Sequence, residues 1–305
     1  MKISDQALIF DIKRFAVHDG EGLRTTVFFK GCQLRCQWCQ NPEGLEKKRQ
    51  PIYLENHCIH CRICEKEALE GQLVYKNDRP YFNRNYEGSF DHVIDSCPST
   101  AIRYDSSYYD TDTLYEEVMK DEVFYMYGGG VTFSGGEPLL HSNFILKLLK
   151  KLKEAGIHTA IETSFYASWS LIEPLLPYLD RIYVDCKLID RDKHLAYTEV
   201  DNTLIKENIE KLLTSIHKDK VIIRTPLIPT RNCDNETLIQ ISRFLTSIYP
   251  DVAYELLNYN PLAPDKYSLV DLTYTLDDYK PFTAEEMDHF RNVVKNAGIK
   301  NLIIE

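Results

Sequence analysis

Cys32, Cys36 and Cys39 stand within eight residues of one another, in the stretch Lys30-Gly31-Cys32-Gln33-Leu34-Arg35-Cys36-Gln37-Trp38-Cys39. Three thiolates at this spacing can hold three irons of a 4Fe–4S cube. No fourth thiol follows closely, since the next cysteine is Cys58. One iron would keep open positions, and an open position marks a catalytic metal centre rather than a structural one. The alternative is a zinc site completed by Cys58 or a histidine. Structural zinc pairs one C-x2-C with a second, which this triplet does not do.

A second set reads differently. Cys58, Cys61 and Cys64 open a bacterial ferredoxin run, which should end with a cysteine followed by proline; Ala68 stands at that place. A Cys-Pro arrives later, at Cys97-Pro98, and counting back from it by ferredoxin spacing lands on Val93, Phe90 and Glu87. In two-cluster ferredoxins the fourth cysteine of each run ligates the other cluster. Cys58, Cys61, Cys64 and Cys97 therefore make one complete set, while Ala68, Glu87, Phe90 and Val93 are one whole missing set. One auxiliary 4Fe–4S cluster is predicted. Four cysteines also suit tetrahedral zinc, but the spacing and the Cys-Pro ending favour iron. His57 and His60 read as bystanders, and Cys233 as incidental.

The totals limit the function classes. The chain has 305 residues, a net charge of −10 and 44% hydrophobic residues. That is ample for a core, and the acidic balance argues against gripping a phosphate backbone or an acidic membrane. No apolar run approaches the ~18 residues of a membrane helix, and residues 1–6 show no leader-like stretch. The reading is cytoplasmic, with no nucleic-acid or membrane partner. In that compartment the nine cysteines are not a disulfide framework, and their clustering points to metal.

These residues need elements to position them. The apolar run Thr26-Val27-Phe28-Phe29 reads as a buried strand running straight into the first cysteine loop. From about residue 103 strands and helices alternate. Strand 131–133 precedes a helix capped by Ser142, carrying Ile145, Leu148, Leu149 and Leu152 on one face and stopped by Gly156. Further strands are expected at 158–162, 181–185, 220–224, 252–257 and 301–304, with helices near 204–213, 237–245 and 284–297. This alternation predicts an α/β fold with a parallel sheet or partial barrel; together with the resemblance given below, the expected fold is a partial (β/α)6 TIM-like barrel with an inserted ferredoxin-like iron–sulfur module. The expected parts are 1–55 (barrel start and cluster loop), 56–102 (insert) and 103–305 (remaining barrel). Chemistry belongs at the C-terminal strand ends. Those ends carry Ser134-Gly135-Gly136-Glu137-Pro138, Glu162-Thr163-Ser164, Asp185-Cys186-Lys187 and Arg224. Bare glycines allow close approach of a ligand. Period two puts Asp185 and Lys187 on one face and Cys186 on the other, where it reads as a core thiol, although it stays among the cofactor-binding candidates. Arg224, a charge on an apolar strand, needs a buried partner. Simpler readings are a tight turn for the glycines, an ion pair for Asp185 and Lys187, and a strand-end cap for Glu162.

Cys32-x3-Cys36-x2-Cys39 with Trp38 resembles the signature of radical S-adenosylmethionine (SAM) enzymes. The preceding His18-Asp19-Gly20-Glu21-Gly22-Leu23-Arg24 and the following Gln40-Asn41-Pro42-Glu43 resemble glycyl radical enzyme activating enzymes of the pyruvate formate-lyase activating enzyme type. Those enzymes often carry histidine where Gln40 stands. The resemblance implies reductive cleavage of SAM to methionine and a 5′-deoxyadenosyl radical, which takes hydrogen from a backbone glycine of a partner enzyme. It implies SAM contacts from Trp38, Gln40, Asn41, Ser134, Gly135, Gly136, Glu137, Glu162, Thr163, Ser164, Asp185 and Lys187, with Arg224 catalytic. A monovalent cation is expected near Glu162. Asn260 stands where the family carries a histidine near the adenosyl group. Asp19 and Arg24 are expected to face the partner's glycine loop, and a flavodoxin- or ferredoxin-type protein to supply the electron. Two rival readings are a radical SAM enzyme acting on another peptide or small molecule, and a non-enzymatic iron–sulfur electron carrier. The carrier would have no use for the 135–137 and 185–187 residues.

Overall fold

The opening apolar segments form a hairpin in which β1 (Gln6–Ala16) runs antiparallel to β2 (Arg24–Phe29). The computed structural model describes residues 6–276 and 278–304. Residues 1–5, on which the leader reading partly rests, lie outside the described residues. Four short strands follow: β3 (Pro51–Tyr53), β4 (Leu73–Lys76), β5 (Arg79–Phe82) and β6 (Ile102–Tyr104). They pair as two separate two-stranded sheets, β3 with β6 and β4 with β5. The β3–β6 pairing, Pro51 opposite Tyr104, closes this insert at its base. The pairing brackets the 56–102 segment.

The chain then rejoins the main sheet through β7 (Ser107–Asp110), which pairs with β1. The remaining strands are β8 (Gly130–Gly135), β9 (His158–Thr163), β10 (Arg181–Asp185), β11 (Val221–Pro226), β12 (Ala253–Leu257) and β13 (Asn301–Ile303). The nine-stranded sheet has the order β13-β12-β11-β10-β9-β8-β2-β1-β7. From β2 to β13 all neighbours are parallel. Its two end strands do not pair, so the barrel is partial. The expected strands are present within two residues at each end. The edge strand β7 and its pairing with β1 were not foreseen, because that pairing is non-local.

Helices cover the outer face. Helix Ser142–Glu154 buries Phe144, Ile145, Leu148, Leu149 and Leu152 against the sheet. Ser142 does not cap it: its hydroxyl donates to the Leu139 carbonyl at 2.6 Å, and the cap position is His141. Helix Ala284–Asn296 opens with a capping box from Thr283 and Glu286. Among the described residues no helix is long and apolar enough to cross a membrane.

Candidate functional site

Burial of β2 delivers the first cysteine loop to the C-terminal end of the sheet. The loop is stitched to itself: the Gly31 amide donates to the Gly44 carbonyl at 2.8 Å and the Cys32 amide to the Leu45 carbonyl at 3.1 Å. Cys32, Cys36 and Cys39 line one cleft with Ser134, Gly135 and Gly136 from the end of β8, and Glu162, Thr163 and Ser164 from the end of β9. Asp185, Lys187 and Arg224, from the ends of β10 and β11, complete its polar wall, and Leu34, Trp38, Pro226 and Leu257 line it too. The cavity measures about 260 Å³. Apart from Gln40 and Asn41 in the cysteine loop, its polar side chains sit at or next to strand C-termini, where such folds place their chemistry.

Burial pushes the thiols of Cys32, Cys36 and Cys39 up to about 12. They bind as thiolates only when a metal supplies the opposing charge. Among the described residues no group of three or more His, Cys, Asp or Glu is drawn close enough to hold a single metal ion, which in a zinc site brings sulfurs within about 3.8 Å of each other. Three thiols on one cleft wall, with no fourth thiol among the residues that line it, fit a cube with one open iron.

Two ionic devices face the thiols. Lys187 is buried and donates to Asp185. Burial alone would depress the ammonium, but Asp185 and the thiols beside it raise it well above the ordinary lysine value. Arg224, 5% exposed, donates to Glu162 at 2.7 Å and to Glu255 at 2.6 Å, and lies 3.6 Å above the Tyr183 ring. Burial opposes its charge, yet the two carboxylates carry it above the usual guanidinium value. Burial raises the Glu162 carboxyl, and Arg224 works against it. Both Glu162 oxygens are engaged, one by Arg224 and one by the Ser134 hydroxyl at 2.7 Å. A cation at Glu162 would compete with a guanidinium already in place.

Several expected contacts are corrected. Glu137 points away from the cleft and is fully buried. Its carboxylate accepts from the Leu139 amide (3.1 Å), the Thr163 hydroxyl (2.6 Å), the Ser164 amide (2.9 Å) and the Ser164 hydroxyl (2.5 Å). It locks the ends of β8 and β9 together and does not line the cleft. Cys186 is 2% exposed in the main core, on the face opposite Asp185 and Lys187. Asn260 is exposed and outside the cleft: its side chain accepts from the Leu262 amide at 3.0 Å, closing its own turn. Gln40 spans to the Asn260 carbonyl at 3.0 Å, and Asn41 accepts from Lys266 at 2.9 Å; both still line the cleft. Gly135 has φ +121°, and a Cβ there would meet the Phe29 amide nitrogen at 2.3 Å. The glycine is required by the neighbouring strand whether or not a ligand is bound.

Arg24 is 1% exposed and cannot face a partner. It donates to the Thr132 hydroxyl (2.6 Å), the Val131 carbonyl (3.0 Å) and the Glu21 carbonyl (3.1 Å), anchoring the 17–23 loop at the N-terminal end of the sheet. Asp19 is half-buried there and accepts from Thr26 at 2.6 Å. Sequence reasoning missed Glu255 and Tyr183. The charge at Glu255 within apolar β12 was the signal for the partner that Arg224 required.

Cys58, Cys61, Cys64 and Cys97 meet around a small cavity that Tyr53 and Tyr75 also line. Phe90 and Val93 instead fill an apolar cluster with Tyr53, Phe82, Ala101 and Ile102, and Ala68 packs against it. Glu87 stays exposed outside that cluster. A larger cavity, about 470 Å³, lies along β4 and β5 between Gly71 and Asn83, with no thiol or carboxylate in its wall.

The model of a family described as a 4Fe–4S single cluster domain matches residues 18–204. A 4-hydroxyphenylacetate decarboxylase activating enzyme of Clostridium scatologenes is 34% identical, over 97% of each chain. An isethionate sulfite-lyase activating enzyme of Oleidesulfovibrio alaskensis is 36% identical, over 87% of each chain. Streptococcus suis SuiB bound to its precursor peptide SuiA has the same fold, with a TM-score of 0.53 and 13% identity, over 90% of this chain and 46% of that one. The chain belongs to the glycyl radical enzyme activating enzymes, radical SAM proteins that use a 4Fe–4S cluster and S-adenosylmethionine.

Proposed function

We propose that this chain installs a glycyl radical in one partner enzyme, and that the cleft formed by the cysteine triplet and the four strand ends is where SAM is held. When bound, the cluster supplies an electron that cleaves SAM to methionine and a 5′-deoxyadenosyl radical, which takes a hydrogen atom from the partner's glycine and leaves as 5′-deoxyadenosine. Cys32, Cys36 and Cys39 hold the cluster. The backbone around Ser134, Gly135 and Gly136 receives the SAM amino group, and Lys187, released in part from Asp185, pairs with its carboxylate. Thr163 and Ser164 approach the ribose, held in place by Glu137. Arg224 stays charged between Glu162 and Glu255 and orients the adenosyl end, while Trp38 and Leu257 exclude water. Asp19 meets the partner's glycine loop. Cys58, Cys61, Cys64 and Cys97 hold one auxiliary 4Fe–4S cluster in a ferredoxin-like insert, and a flavodoxin or ferredoxin is the electron donor.

The observation that carries this reading is the convergence of three half-buried thiols, a buried lysine paired with a half-buried aspartate, and a buried arginine on one cleft. The partner's substrate stays open, because relatives at 34% and 36% identity are named for a decarboxylase and a sulfite-lyase. The test is anaerobic. Loaded protein, reductant and SAM are mixed with the glycyl radical enzyme encoded nearest its gene. A glycine-centred radical is expected by electron paramagnetic resonance (EPR), absent with Cys36→Ala and absent when the partner's glycine is alanine. SAM cleavage without any such radical would favour a different peptide or small-molecule target.

A further inference from the structure

Between β12 and the helix Ala284–Asn296 the chain makes a long excursion across the cluster loop. Its base is pinched: the Asn258 amide donates to the Phe282 carbonyl, and the Phe282 amide donates back to Asn258, both at 2.8 Å. Its inner face is aromatic. Tyr259, Tyr267 and Tyr274 are buried against Trp38, and Cys36 and Cys39 pack on this cluster. The hydroxyl of Tyr259 donates to the Leu276 carbonyl at 2.5 Å, and the Tyr267 and Tyr274 rings lie 4.8 Å apart. The excursion thus brings an apolar wall against two of the three thiols.

It is fastened on two sides. Lys266 reaches the cluster loop, donating to Asn41 at 2.9 Å and pairing with Glu43 at 3.2 Å. On the other side the fastening comes from the insert. Arg84 donates to Asp271 at 2.6 Å and to the Leu269 carbonyl at 3.3 Å, while also holding the Pro51 carbonyl at 2.6 Å. Arg79 of β5 adds a second pairing to Asp271 at 3.6 Å. Arg84 therefore joins the base of the insert to the outer end of the excursion.

We infer that residues 259–276 are a cover over the cluster-holding thiols, and that Arg84 and Asp271 are the positioning residues by which the inserted module latches it shut. The insert then has a mechanical role in addition to any it has as a cluster carrier. An aromatic cover keeps water and dioxygen from the cluster, and its loss exposes iron. This inference rests on the reading that Cys32, Cys36 and Cys39 hold the cluster.

The test uses Arg84→Met, Asp271→Asn and the double variant of the full chain. Asparagine is chosen because Asp271 has φ +55°, which asparagine tolerates. Hydrogen–deuterium exchange is read across 259–276 in iron-free and iron-loaded protein, and air-induced loss is read on the EPR signal that responds to SAM. Each single variant is expected to speed both by about fivefold, the weight of one partly exposed ion pair. The double is expected to fall short of the combined effect of the two singles, because both remove the Arg84–Asp271 pair. Arg84→Lys should restore part of the protection. Unchanged exchange in either single, or two effects that simply add, would overturn the latch. A wild-type protein without a SAM-responsive signal would instead overturn the cluster assignment, and exchange in the iron-free protein would still decide the latch.

Discussion

Glu137 provides a sharp test of how the cleft proposed to hold SAM is built, because its carboxylate was expected at SAM and lies instead inside the protein. Each of its oxygens accepts one backbone amide, Leu139 on one side and Ser164 on the other, along with one hydroxyl. The hydroxyls can turn to other acceptors; the amides cannot. Glu137→Gln puts an NH2 group where one oxygen was, and whichever way the side chain flips that group faces a backbone N–H. One stranded buried donor costs about 1–3 kcal/mol. Glu137→Ala strands both amides, so about 2–6 kcal/mol is expected, a large share of a typical domain's stability. Urea unfolding of the iron-free protein measures both. SAM affinity of the loaded glutamine variant should fall only modestly, since the residue acts through Thr163 and Ser164. If Glu137→Gln kept full stability while SAM binding vanished, the carboxylate would touch SAM and the placement would be wrong.

Other outcomes follow from the same geometry. Lys30 and Asp105 form a buried pair at 2.7 Å, with side-chain exposures of 0% and 1%, joining the cluster loop to the end of the insert. Lys30→Met leaves Asp105 uncompensated and should cost about 3–5 kcal/mol in urea unfolding, with much of that recovered by adding Asp105→Leu. Burial holds His141, His158 and His194 below the ordinary histidine value. The folded state therefore resists a proton that the unfolded chain accepts near pH ~6.5. This contribution to stability is present above that pH and lost as pH falls, at up to about 1.4 kcal/mol per unit for each histidine. Urea midpoints between pH 7.5 and 5.5 should show the decline, and His194→Gln should flatten it. Cys61→Ala should lower the iron content of reconstituted protein from about eight toward about four atoms and spare the SAM-responsive EPR signal.

The parts of the site that could be read directly are local ones. The spacing of Cys32, Cys36 and Cys39 and the strand-end clusters at 134–138, 162–164 and 185–187 lie in short stretches, and alternation of β and α fixes their common edge. Arg224 announced its need for a partner by its charge, and Glu162 and Glu255 supply two. What was misread depends on contacts between distant segments. Arg24 reads as a surface loop charge until the 17–23 loop is seen folded against Thr132 and Val131. Glu137 reads as a ligand until β8 and β9 are seen side by side. Asn260 follows a strand in the expected place, but its turn directs the side chain to Leu262. The latch between Arg84 and Asp271 joins residues 187 positions apart, and nothing local marks either one. The spacing around Cys58 and Cys97 is local and could be read, while the packing of Phe90 and Val93 in one apolar cluster with Tyr53 and Phe82 became visible only in three dimensions.

The most direct test of the central claim is product analysis on the reconstituted protein. With about eight irons bound, reduced anaerobically by dithionite and given SAM, it should form 5′-deoxyadenosine and methionine in equal amounts, and Cys36→Ala should form neither. Fully loaded protein that reduces normally yet yields no 5′-deoxyadenosine would contradict the account and leave an iron–sulfur electron carrier on a SAM-enzyme fold.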